Sequence, residues 1–145
     1  MNHPKWIAWF CLITLVALYI VGAVSHGSLR HEVQTLPLWG PIVFGFRGQS
    51  MAKWSGLACM SIWLALMLMI WSFLAGWTHL LSGHFSPIEI GLTIVIGISC
   101  VCGIVQSLRW RTEMSTSAAL GAFVLFAVLQ LAALRVSFLP NIANQ

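Results

Sequence analysis

The chain has 145 residues, of which 59% are hydrophobic and only 7% charged, and its mean hydropathy is +0.92. Soluble domains use roughly 25% charged residues, so this composition excludes an aqueous fold and calls for lipid or other subunits to complete the core. The formal charge of +4 comes from seven Lys/Arg against Glu32, Glu89 and Glu113; the cations are scattered, which reads as membrane topology and not as a nucleic-acid footprint.

Four apolar runs reach the roughly 20 residues that a bilayer crossing needs. The expected fold is therefore an all-α integral membrane protein, a single membrane domain over 1–145 with four transmembrane helices in a compact bundle at about 7–24, 54–78, 88–108 and 117–134. The first run follows Lys5 and opens with Trp6 and Trp9, like an interfacial anchor. A cleaved signal peptide is the alternative, since Ala23-Val-Ser25 resembles a small-residue cleavage site, but the run exceeds the usual apolar length of such peptides.

Between the first two runs lies Thr35 to Gly48, TLPLWGPIVFGFRG. Its apolar part, Leu36 to Phe46, is too short to span as a helix, and an extended crossing would strand backbone amides in lipid. Pro37 and Pro41 disfavour regular helix, while Gly40, Gly45 and Gly48 permit sharp turns. The segment is expected to lie along the interface or to dock into a partner through Leu36, Pro37, Trp39, Pro41, Phe44 and Phe46. A re-entrant loop packed on the helices ranks below both.

The second run carries Met60, Trp63, Met67, Met69 and Trp71 between Trp54 and Trp77, whose indoles suit the two interfaces. Methionine also ligates copper(I), but thioethers on a lipid-buried helix read first as packing atoms. The connection that follows holds His79, His84 and Glu89, imidazoles and a carboxylate suited to a metal, although their spacing matches no helical ligand pair. His26, His31 and Glu32 form a similar group in the first connection, expected at the opposite side of the membrane. In both groups polar residues at helix ends are the simpler reading.

The third run opens at Pro87 with Glu89 in its first turn, a placement that the helix dipole favours by itself. Farther along, Ser99, Cys100, Gly103, Gln106 and Ser107 share one face, and Ser99 and Gly103 form a small-xxx-small pattern. Ser117 and Gly121 repeat that pattern on the fourth run, so these four residues are the expected helix-packing positions. Cys11, Cys59, Cys100 and Cys102 all fall inside apolar runs and read as small packing residues.

Arg30, Arg47, Lys53, Arg109 and Arg111 fall in the first and third connections, against Lys5 and Arg135 opposite. The positive-inside rule then puts those connections in the cytoplasm and both termini outside. No acidic or basic side chain lies near a bilayer midplane, which disfavours an autonomous ion-coupled carrier. No nucleophile elbow, zinc-protease, Walker or dinucleotide motif occurs.

The resulting expectation is a small non-catalytic subunit of a larger membrane complex, in contact with the lipid bilayer and other integral membrane subunits and not with nucleic acid. A bacterial inner membrane is the expected location. The alternative is a redox-associated subunit binding metal, haem or quinone through helix-end histidines, and a small transporter or channel comes third. The sequence assigns no catalytic residue and no cofactor.

Overall fold

A computed structural model describes residues 2–79 and 84–143. Its elements are α1 (His3–Val24), α2 (Ser28–Thr35), a 3-10 turn (Leu36–Leu38), α3 (Trp39–Phe46), α4 (Met51–Leu74), α5 (Pro87–Arg109), α6 (Thr116–Ser137) and a short α7 (Pro140–Ala143). The long helices α1, α4, α5 and α6 are each long and apolar enough to cross a membrane. The fold is an all-helical bundle of membrane-spanning helices, as the composition requires.

Local chemistry sets the helix starts. Ser86 caps α5 by accepting the Glu89 N–H at 3.3 Å, while Glu89 Oε2 accepts the Ser86 N–H at 2.7 Å, with Pro87 at the first helical position. Ser115 caps α6 through the Ala118 N–H. The core is a seam of apolar side chains: Ile7, Cys11, Leu15 and Leu18 from α1, Cys59, Met60, Trp63 and Met67 from α4, Ile96 and Cys100 from α5, and Phe126 from α6.

The segment expected to be an interfacial or docking loop is helical and packs one face against the bundle. Pro37 starts the 3-10 turn and Pro41 sits in the first turn of α3, where a missing amide hydrogen breaks little. Its polar forerunner, α2, joins it to make a longer element. Together residues 28–46 extend about 30 Å, at about 1.5 Å per α residue and about 2.0 Å per 3-10 residue.

This element runs back along α1 from one end to the other. At its start the His31 side chain lies against Gly22; at its finish Gly45 meets Pro4 and Ala8. Its inner face, Pro37, Leu38, Pro41, Ile42 and Gly45, is buried among α1, α4 and α6, and Phe44 meets Phe126 edge-on at 6.1 Å. Leu36, Trp39, Val43 and Phe46 form the outward stripe.

Because residues 28–46 return the chain to its starting end, α1 and α4 run parallel. Ile7 near the start of α1 packs on Gly56 near the start of α4. The beginning of α1 and the end of α6 consequently lie at opposite ends of the bundle: His3 Nδ1 pairs with Gln106 Oε1 of α5 at 3.1 Å, whereas Phe138 meets Arg30 of α2. Residues 28–46, expected within a single connection, instead lie along the length of α1.

Candidate functional site

At the end of the bundle where α1 finishes, α2 begins, α4 finishes and α5 begins, the helices enclose a cavity of about 330 Å³. Its walls are apolar: Leu18, Leu66, Met67, Met69, Ile70, Ile96 and Leu134, with Trp63 among them. Arg30, His31, Gln34, His84, Glu89 and Thr93 add polar groups from α2 and the start of α5. A mostly apolar pocket with a few polar groups is the usual form of a small-molecule site.

The helix positions explain this distribution. Trp63 and Met67, one turn apart on α4, face inward at 3% exposure each. Across from them the polar turn of α2 presents Arg30, His31 and Gln34. Gln34 is buried and its Nε2 donates to Ser137 Oγ at 2.9 Å, while Gln130 Nε2 donates to the Gln34 carbonyl at 2.9 Å. These two bonds pin α2 to α6 where regular helix gives way to the 3-10 turn.

Several polar atoms at the cavity have no hydrogen-bond partner among the described residues. They are Arg30 Nε, His31 Nδ1 and Trp63 Nε1, all buried. The Arg30 guanidinium stacks on the Phe138 ring, 4.2 Å from its centroid, which holds the head in place without satisfying Nε. Native structures leave few buried polar atoms unpaired, and three of those found here lie around one cavity.

The two histidine groups read from the sequence are redistributed. His31 lines the same cavity as His84 and Glu89, at one end of the bundle. His79, His26 and Glu32 are exposed and stand outside the cavity lining, and His3 belongs to the opposite end. Among the described residues no three His, Cys, Asp or Glu side chains converge on a metal position. Glu89 is held by its helix cap.

The packing positions divide in the same way. Ser99 and Gly103 are buried, and Met60 of α4 lies directly on Gly103. Ser117 and Gly121 instead face outward, with open space beside Gly121; α6 packs through Ala119, Ala122, Phe126 and Gln130. The small-xxx-small pattern gave no sign of which side of α6 meets the chain. Cys11, Cys59 and Cys100 are buried as core atoms and Cys102 is half-buried.

The residues that sequence reasoning missed are Arg30, Gln34, Trp63 and Gln130. Gln34 and Gln130 carried a readable signal, since an amide in an apolar helix needs a partner. A second, more open groove lies at the other end beside Lys53, Trp54 and Arg111. There Lys53 Nζ donates to the Trp110 carbonyl at 2.6 Å and sits over the Trp54 ring.

Comparison with protein-family models, curated proteins and solved structures finds no match for this chain. Fold and composition define its class: a multi-pass α-helical membrane protein.

Proposed function

We propose that this chain is a non-catalytic accessory subunit of a bacterial inner-membrane complex that holds an amphipathic ligand in the cavity between α1, α2, α4, α5 and α6. The observation that carries this reading is the apolar cavity with three unpartnered buried polar atoms, Arg30 Nε, His31 Nδ1 and Trp63 Nε1. The inner face of the proline-broken segment is covered by its own chain. What remains outward is the stripe of Leu36, Trp39, Val43 and Phe46, suited to lipid or to neighbouring subunits.

Residues 28–46 serve as a fifth, broken crossing in this reading. Lys5, Arg47, Lys53, Arg109 and Arg111 then gather at one end of the bundle, against Arg30 and Arg135 at the other. The N-terminal end faces the cytoplasm and the C-terminal end the opposite side. The conflict between Lys5 and the other cations disappears, and the ligand cavity opens toward the non-cytoplasmic face.

The test is extraction and mass spectrometry of the full-length protein purified in gentle detergent. About one amphiphile per chain is expected, lost when Met69→Trp fills the cavity while the melting temperature holds. No retained amphiphile, or equal retention by the filled variant, overturns the proposal.

A further inference from the structure

We infer that the cavity takes a quinone-type ligand: a flat apolar ring with a hydrogen-bond acceptor at each end and an isoprenoid or alkyl tail. This rests on the ligand-holding role proposed above and adds the chemical class.

The unpartnered groups at the cavity are donors. The N–H groups at Arg30 Nε and Trp63 Nε1 can only donate, and His31 Nδ1 donates in one of its tautomers. Two nearby acceptors are already used: Glu89 Oε2 takes the Ser86 N–H, and Thr93 Oγ1 takes the Trp71 indole N–H at 3.0 Å. A buried donor without an acceptor is destabilising, so the site favours an occupant that brings acceptor oxygens.

These donors stand at two levels. Arg30 and His31 lie at the end of the bundle beside Phe138, whereas Trp63 lies near the middle of the 24-residue α4. An acyl lipid carries its acceptors at the head alone and would leave the Trp63 donor facing methylene groups. A para-quinone carries carbonyl oxygens at opposite ends of its ring and so offers acceptors in both directions. The walls agree with this, because Met67 and Met69 present polarisable sulfur suited to a ring. A volume of about 330 Å³ is at the small end for ligand pockets and matches one ring with the first unit of its tail.

The experiment uses the full chain in lipid nanodiscs. A short-tailed azido-ubiquinone is photo-crosslinked with and without ubiquinone-1 as competitor, and a photoreactive palmitate forms the second arm. Saturable quinone labelling that maps to α2 and to α4 around Trp63 is expected. Trp63→Phe keeps an aromatic ring, removes the N–H and should weaken competition by ubiquinone-1 about five- to tenfold. If that variant melts early, Arg30→Met replaces it, with loss of affinity again expected.

Non-saturating quinone labelling, or affinity unchanged in the folded variant, overturns the assignment. Saturable palmitate labelling alone leaves the ligand-holding role standing and removes the quinone. Failure of both arms, together with an empty lipid extract, removes the role itself.

Discussion

The Phe126 ring of α6 lies directly on the backbone of Gly40 in the returning segment, leaving no room there for a Cβ. The glycine is needed for this close approach, since its backbone is ordinary helix inside α3. Gly40→Ala should destabilise the protein by about 1–3 kcal/mol, the usual cost of forcing a methyl into a packed interior. Reversible unfolding in mixed detergent measures it, and Phe126→Ala in the same chain should recover part of the loss by making space.

The Gln34, Gln130 and Ser137 group fixes the break in the returning segment. Gln130→Leu leaves the Gln34 carbonyl without its side-chain donor and should cost about 0.6–2 kcal/mol, the range for hydrogen bonds between membrane helices. A double-mutant cycle between Gln34→Ala and Ser137→Ala should return a coupling of about 1 kcal/mol. Zero coupling would mean that the bond contributes nothing to stability.

Side-specific labelling decides how many times the chain crosses. With five passes, cysteines placed at Gln49 and Thr112 should react on the cytoplasmic side, and one placed at Ser25 on the opposite side. Native Cys11, Cys59 and Cys100 are buried and should stay unmodified by polar maleimides in the folded protein. Reaction of Ser25 and Gln49 positions from one side would return the topology to four passes.

The small residues of α5 and α6 should respond oppositely to enlargement. Gly103→Val drives a branched side chain into Met60 and should lower stability by about 1–3 kcal/mol. Gly121→Leu meets open space and should leave stability of the isolated chain unchanged or slightly higher, because leucine is the better helix former. If Gly121→Leu releases co-purifying subunits while the fold holds, the outward face of α6 is a docking surface of the accessory subunit.

Much of this architecture was legible in the residues. The four long helices follow from apolar runs, and the α5 start was readable from Pro87 and Glu89, whose capping box with Ser86 the structure displays. The returning segment was not readable for a definite reason. Arg30, His31, Glu32 and Gln34 make α2 polar, so the apolar stretch from Leu36 looked too short to cross. Partners far along the chain, Gln130, Ser137 and Phe138, receive this polar turn. The histidine grouping was unreadable for the same reason: residues 28–46 lie along α1, which brings His31 to the cavity that His84 and Glu89 also line.

That dependence on distant partners orders the biogenesis of the molecule. The amides that hold the broken element lie 96 and 103 residues apart from their counterparts. While the ribosome is still making α4, the returning segment carries its guanidinium and amide groups with no α6 to receive them. The segment is then expected to settle between its neighbours only once the last long helix has been delivered. A chain truncated before α6 would therefore keep α1 inserted yet leave residues 28–46 accessible to protease.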